Sequence, residues 1–279
     1  MFYMKEITLK KLLSTLFALT SIVLASSTQA GVILYAQDYA PGDDNIAGVL
    51  AGDGHTVTSL LGGYNSSTDI NSDLTSGLSG YDAVFWNATA NGYGATHAAA
   101  QFTNLLSYVN GGGSVFVTGY DTIASPSDPN LINFVGGSSS TDFGGSRDPL
   151  AVTGANSLST GLIDIIGETP TGSYGDWDTL YGLSGDTTCV AAGSGGGCQW
   201  SLRNYGAGQI AYISAGASLT SVETAWTNTS VGGAGAYNAA LRNFAYNATG
   251  STSVPEPSSL ALLGLGLASL AFKRKRKTV

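Results

Sequence analysis

Short apolar runs alternate with helical patterns along the first half of the chain. Four runs rich in β-branched and aromatic residues predict strands, and they are VILYA (32–36), HTVTSLL (55–61), AVFWNA (83–88) and SVFVTGY (114–120). Apolar residues recur at helical spacing in DDNIAGVLAGDG, between the first two runs, and in THAAAQFTNLLSYVNGGG, between the last two. Because strands joined by helices cannot form hairpins, this pattern predicts a parallel sheet with helical crossovers.

The second half of the chain has a different pattern. DPNLINFVGG predicts a short helix, and LAVTGANSLSTGLID predicts a strand, a turn and a helical turn. Three strand-like runs separated by glycine-rich turns follow between residues 187 and 216, which favours antiparallel pairing. A closing helix is predicted over residues 236–249. The sequence therefore predicts an α/β three-layer sandwich with a mainly parallel sheet and an antiparallel extension in its second half.

The N-terminal segment has the three parts of a secretory signal peptide. Three lysines supply positive charge, LLSTLFALTSIVLA (12–25) is an apolar run, and small residues follow as far as Ala30. We expect signal peptidase to remove residues 1–30, although an uncleaved N-terminal anchor is the alternative. The body then forms a single α/β domain over residues 31–249, and residues 250–254 form a flexible linker.

The chain ends in a motif, an apolar run and a basic cluster. In order these are Pro255, Glu256 and Pro257, then the run 260–272, then Lys273, Arg274, Lys275, Arg276 and Lys277. The run would rise about 20 Å as a helix, against a hydrocarbon core of roughly 30 Å, but basic side chains at one end can extend to the interface. The positive-inside rule places that end in the cytoplasm. The pattern predicts a short transmembrane helix with the body outside; a permanent weak anchor is the alternative.

This ending, VPEPSSLALLGLGLASLAFKRKRK, resembles the PEP-CTERM sorting signal of Gram-negative bacteria. The resemblance implies that an exosortase in the inner membrane recognises and cleaves the tail. The body would then be released or attached at the cell surface or in the extracellular matrix. Proteins with this signal often accompany exopolysaccharide production, so the resemblance also implies an exopolysaccharide as a partner.

The net charge of −8 is distributed unevenly. Between the two terminal segments the chain has no lysine, and its only basic residues apart from histidine are Arg147, Arg203 and Arg242. An acidic body repels nucleic acid and anionic lipid, so nucleic acid is not an expected partner. Cations, neutral glycans and basic partners suit it better, and a plain soluble acidic surface is the simplest alternative.

Two cysteines, Cys189 and Cys198, flank a glycine-rich stretch in CVAAGSGGGC. Because an exported protein meets an oxidising compartment, we expect a disulfide that joins the two sides of a hairpin tip. Zinc binding is the less favoured alternative, since two thiolates supply half of a zinc site and neither histidine is near in sequence.

The first half resembles the flavodoxin-like sandwich of class I glutamine amidotransferase-like and trehalose-utilisation-protein-like domains. VILYA, GHTVTSLL, YDAVFWNA and FTNLLSYVNGGGSVFVTGYD carry this resemblance, which spans roughly residues 32–216. In the amidotransferases a nucleophilic cysteine lies between glycines at the turn after the last of these strands. Here the turn reads TGYDT, with Tyr120 and Asp121 where the nucleophile would be, so the resemblance does not extend to that activity.

Two histidines are the candidates for acid–base chemistry. His55 begins a predicted strand, where local packing is its expected role. His97 follows the third predicted strand, and open α/β sheets build their sites at such strand ends. His97 with Asp121, or with a loop serine, is therefore the candidate catalytic set, although a structural role for His97 is more common. No G-x-S-x-G motif is present to support a hydrolase.

Carboxylates follow the first and fourth predicted strands. Asp38, Asp43 and Asp44 come after the first, and Asp121 comes after the fourth. In a doubly wound sheet these loops could meet at one edge, where hard oxygen ligands would favour Ca²⁺. Solvated turn carboxylates are the alternative, and the expected outcome, because Asp is common in turns.

Aromatic residues in predicted loops suit neutral sugars; they are Tyr39, Tyr64, Tyr93, Tyr120, Tyr174, Trp177 and Tyr181. The same residues would also serve as ordinary surface in a protein poor in lysine. We therefore expect an exported surface or matrix protein with a non-catalytic α/β domain that contacts glycan or matrix. An exported hydrolase and a calcium-binding structural module are the alternatives.

Overall fold

The computed structural model describes residues 30–37, 44–61, 74, 77–88, 97, 99–119, 122–123, 128–144, 149–171, 176–214 and 226–250. The predicted signal peptide up to residue 29, most of the linker and the sorting segment lie outside the described residues. So do several predicted site and loop residues: Asp38, Tyr39, Asp43, Tyr64, Tyr93, Tyr120, Asp121 and Tyr174.

Five strands form a parallel sheet: β1 (Val32–Gln37), β2 (Thr56–Leu61), β3 (Ala83–Asn87), β4 (Ser114–Thr118) and β9 (Gly208–Ile213). Their order across the sheet is β2-β1-β3-β4-β9. Every residue of β3 and β4 is buried, because helices cover both faces of the sheet there. The four strands predicted in the first half and their parallel pairing are confirmed.

The remaining strands extend this sheet with antiparallel pairs. They are β5 (Ser139–Gly144), β6 (Asp176–Tyr181), β7 (Thr187–Ala192) and β8 (Cys198–Tyr205). β8 pairs with β9, β7 and β6, and β5 pairs with β6 at the far edge. The predicted fold class is confirmed: a mixed, open α/β sheet, mostly parallel in the first half of the chain and antiparallel later.

Helices lie on both faces of the sheet. They are α1 (Ile46–Gly52), α2 (Ala99–Asn110), α3 (Pro129–Phe134) and α4 (Gly235–Thr249), with a 3₁₀ turn at Leu78–Gly80. α1 and α4 share one hydrophobic core, while α2 and α3 share the other. Within the described part of the chain, no helix is both long and apolar enough to cross a membrane.

Alternate residues of β1 enter the two cores. Ile33 and Tyr35 pack in the core that contains α1 and α4, whereas Leu34 and Ala36 pack in the core that contains α2 and α3. This follows from the period of two along a strand, which sends successive side chains to opposite faces. The continuous apolar run of β1 is therefore needed to fill both cores of the three-layer sandwich.

The strand predicted at the start of LAVTGANSLSTGLID is wrong. Residues 149–171 contain only an isolated bridge between Pro149 and Gly193. Val152 exchanges backbone hydrogen bonds with the nearby segment 167–168, and Thr153 makes a single backbone bond to Val190, so no ladder forms. The segment is held as an irregular connection because its backbone groups are satisfied locally and by α4, whose Asn243 bonds three of them.

Candidate functional site

Three strands end in polar residues at the carboxyl edge of the parallel sheet. Gln37, Asn87 and Thr118 are the last residues of β1, β3 and β4, and all three are buried. The Thr118 hydroxyl donates to the carbonyl oxygen of Ile213 at 2.9 Å, and the Tyr35 hydroxyl donates to Gln37 Oε1 at 3.2 Å. This edge is where open α/β sheets build their sites, and here its polar side chains are tied into the fold.

Asp44 connects the end of β3 to the beginning of α1. Asn87 Nδ2 donates to Asp44 Oδ2 at 2.6 Å, and the Ile46 backbone N–H donates to Asp44 Oδ1 at 3.0 Å. Asp44 is only 4% exposed, so the expectation of a solvated turn carboxylate is wrong for this residue. Among the described residues, no group of three or more His, Cys, Asp or Glu side chains is arranged to hold a metal ion. Calcium binding by the loops that contain Asp38, Asp43 and Asp121 stays a prediction.

His97 forms a buried pair with Asp128. Its Nδ1 lies 3.0 Å from Asp128 Oδ2, and its ring stands edge-on to Trp86, with centroids 4.8 Å apart, and to Phe102, at 6.1 Å. The His97 side chain is 1% exposed. The sequence pointed to Asp121 as the partner of His97, whereas the structure gives the carboxylate of Asp128 to this imidazole.

Asp128 also begins helix α3. Its Oδ1 accepts hydrogen bonds from the backbone N–H groups of Asn130 at 2.9 Å and Leu131 at 3.1 Å. Burial alone would raise the pKa of Asp128, but the hydrogen bonds from His97 and Leu131 and the charge of His97 outweigh it and hold the pKa below its usual value. Sequence reasoning missed this residue, although Asp followed by Pro129 is a recognisable helix start.

The His97–Asp128 pair has one element of acid–base chemistry. A carboxylate bonded to Nδ1 fixes the tautomer and orientation of an imidazole, which is its role in hydrolytic triads. A general base must also reach the proton it removes, and the packing of Trp86 and Phe102 around the His97 ring closes it to solvent. In this conformation the pair connects the beginning of α3 to the end of β3.

Asp178 joins the antiparallel half to the segment that follows β4. Its Oδ2 accepts from the Ile123 N–H at 3.0 Å, and its own N–H donates to Ser214 Oγ at 3.0 Å. Asp178 lies in β6 beside Trp177, which is fully buried. The expectation that Trp177 and Tyr181 lie in loops is wrong, since both belong to β6.

Cys189 of β7 and Cys198 of β8 are joined by a disulfide, with their Cα atoms 5.6 Å apart. The two strands pair antiparallel on either side of a glycine-rich turn, with a bulge near the turn. The crosslink therefore closes a hairpin at the outer part of the sheet.

His55 lies at the opposite, amino edge of the sheet. Its Nδ1 accepts a hydrogen bond from the Gly31 N–H at 3.1 Å. Burial lowers the pKa of His55, and the nearby carboxylates of Asp53 and Asp82 oppose this in part. His55 is therefore a neutral acceptor near pH 7, and its predicted role in local packing agrees with these contacts.

A surface groove of about 420 Å³ lies between α2, α3 and the end of β8. It is lined by apolar residues of both helices together with Asn130, Asn133, Ser184, Arg203 and Tyr205. The Arg203 guanidinium stacks over the Tyr205 ring at 4.8 Å. It also pairs with Asp186 at 3.0 Å and donates to the carbonyl oxygens of residues 133 and 134 at 2.8 and 3.1 Å, so its charge is compensated.

Comparison with known families identifies the tail. Residues 253–277 match the PEP-CTERM protein-sorting motif, so the chain carries this motif, as predicted. The motif marks an exported protein that an exosortase processes. No curated protein matches the chain.

Solved structures resemble the α/β body. A ThuA-like protein from Parabacteroides merdae is 14% identical, with a TM-score of 0.51, and the match covers 81% of this chain and 94% of that one. A GMP synthase subunit from Thermoplasma acidophilum is 13% identical, with a TM-score of 0.46, over 79% of this chain and 95% of that one. At this identity the likeness to the ThuA-like protein shows a shared α/β fold and nothing of activity.

Proposed function

We propose that the α/β body is a non-catalytic module that binds a neutral glycan outside the cell after exosortase processing. One observation supports the non-catalytic part most directly: the His97 imidazole is paired with Asp128 and enclosed by aromatic rings. His97, the histidine at the carboxyl edge of the sheet, thereby stabilises the fold through its contact with Asp128.

The groove beside Tyr205 is the proposed sugar site. Aromatic faces with nearby amide and hydroxyl groups are typical of sugar-binding clefts, and the groove offers Tyr205, Asn130, Asn133 and Ser184. Because Asp186 and two carbonyl oxygens already compensate Arg203, the groove has no spare positive charge for an acidic polymer. Its chemistry therefore favours a neutral glycan over an anionic one.

Isothermal titration with a neutral β-glucan and with alginate, an anionic polysaccharide, tests this proposal on the exported protein. We expect the neutral polymer to bind and Tyr205→Ala to weaken that binding about tenfold, the loss of one aromatic contact. Tyr246→Ala is the matched control, since Tyr246 is an exposed tyrosine on α4 outside the groove. Equal effects of the two substitutions, or preference for alginate, would refute the groove as a neutral-sugar site.

An exported hydrolase is the second candidate, and the His97–Asp128 pair is the observation that favours it. A fixed imidazole becomes a general base if the surrounding rings move aside in a substrate complex. His97→Gln and Asp121→Asn separate the two candidates on any glycoside or ester that the exported protein hydrolyses. Loss of that activity in a variant with unchanged unfolding would establish the hydrolase and overturn the non-catalytic proposal.

A further inference from the structure

The buried part of the body begins at Gly31. Ala30 is exposed, whereas Gly31 is buried. A methyl group on the Gly31 Cα would lie 2.1 Å from Thr249 Cγ2 and 3.1 Å from Asp82 Oδ2. Only glycine fits this position, because the end of α4 and the residue before β3 close on it from two sides.

Two side-chain hydrogen-bond acceptors lie at the beginning of β1. The backbone nitrogen of Gly31 donates to His55 Nδ1 at 3.1 Å. The next backbone nitrogen, that of Val32, donates to Asp82 Oδ2 at 2.8 Å. Gly31, His55 and Asp82 each immediately precede a strand, so three neighbouring parallel strands bring them together at the amino edge of the sheet. A backbone amide uses one acceptor there, while an ammonium group could use more than one.

We propose that signal peptidase cuts the Ala30–Gly31 bond and that the new α-ammonium of Gly31 becomes a structural cation, paired with the Asp82 carboxylate and bonded to His55. In this hydrolysis one water is consumed: its hydroxyl joins the Ala30 carbonyl carbon, and its other proton goes to the Gly31 nitrogen. The new carboxyl group of Ala30 then ionises, and the proton it releases converts the Gly31 amine into an ammonium group. Processing then converts a neutral amide into a cation beside the Asp82 carboxylate and the His55 imidazole; the other carboxylate near His55, Asp53, is paired with Arg242. The inference rests on export of the body and on removal of the tail, and it is independent of any glycan.

The composition of the body makes this amine chemically unique. The sequence has no lysine between Lys11 and Lys273. A body cut after Ala30 and trimmed near Pro257 therefore carries a single primary amine, at Gly31. Acylation by an N-hydroxysuccinimide ester reports on that one group, with no competing site.

The experiment uses protein exported from cells that carry the full-length gene. Intact mass and N-terminal sequencing identify the first residue, and the acylation rate is then followed against pH for folded and guanidinium-denatured protein. We expect Gly31 as the first residue and acylation about tenfold slower in the folded protein at neutral pH. The reason is that an adjacent carboxylate and an acceptor imidazole favour the charged form of the amine, which is not nucleophilic.

Asp82→Asn removes the charge and keeps an acceptor for Val32, so it should restore most of the unfolded rate. Asp164→Asn, at an exposed carboxylate remote in sequence from this corner, is the matched control and should leave the rate unchanged. A first residue other than Gly31, or folded and unfolded rates that agree, overturns the proposal without any variant. A mass that includes the tail, with three further acylated lysines, would instead contradict exosortase processing, so the two failures are distinguishable.

Discussion

Replacement of Asp128 by alanine tests the structural role of the His97–Asp128 pair. The substitution removes two hydrogen bonds at the beginning of α3 and the partner of a buried imidazole. Loss of a helix cap costs about 1 kcal/mol, and a buried polar group without its partner costs about 1–3 kcal/mol. We therefore expect the free energy of unfolding to fall by about 2–4 kcal/mol and Tm to fall by roughly 5–15 °C.

Asp128→Asn separates this account from a general effect of substitution. Asparagine caps helices as well as aspartate does. Its NH₂ group then takes the place of Oδ2 and can donate to His97 Nδ1 in the neutral tautomer that accepts there, so the loss should be about 1 kcal/mol. Urea unfolding followed by circular dichroism measures both variants. Equal destabilisation by alanine and asparagine would refute the reasoning, because it would show that the helix cap, which asparagine keeps, does not contribute.

The stabilisation by the His97–Asp128 pair should also depend on pH. Because the folded protein holds the pKa of Asp128 below its usual value, the stabilisation is fully present above the unfolded pKa of about 3.9. It is lost as pH falls through the lower folded value. Between about pH 5 and pH 2 the Tm of Asp128→Ala should therefore fall less steeply than that of the unaltered protein, and parallel curves would contradict the assignment.

Three further predictions concern other contacts. Replacement of both Cys189 and Cys198 by serine should lower the free energy of unfolding by about 2–3 kcal/mol, measured in urea, since their disulfide closes a short loop. Arg242→Lys should cost about 1–2 kcal/mol in the same assay, because lysine cannot reproduce the two bonds of 2.7 Å to Asp53 that connect α4 to the end of α1. As pH falls below about 6.5, Tm should decline because the pKa of buried His55 is lowered and the unfolded chain binds the extra proton; His55→Gln should flatten that decline in calorimetry.

The sequence predicted the parallel half of the sheet because its strands are buried on both faces. β1, β3 and β4 are continuous apolar runs. Such runs are expected where helices cover both faces of a sheet, because side chains on both faces are then buried. β5 and β6 were not predicted, since SSTDFG is largely polar and the apolar residues of DWDTLY are separated by polar ones. Their pairing depends on contacts between residues 32 to 42 positions apart, and no local pattern contains that information.

The candidate site was predictable in part. The position of His97 after the third predicted strand indicated that it lies near the carboxyl edge of the sheet. In the structure its ring packs against Trp86 of β3. Its partner was missed because Asp128 lies 31 residues further along the chain. Asp before Pro is typical of a helix start, but a capping carboxylate has a second oxygen, and only the packing of α3 against α2 decides what that oxygen contacts.

The intact mass of the protein recovered outside the cell tests the central claim most directly, that this chain is an exported body delivered by a removable tail. The account predicts a polypeptide that begins at Gly31, ends near Pro257 and contains one disulfide. Extracellular protein that retains the basic residues 273–277 would contradict it, since the exosortase would then have left the tail in place.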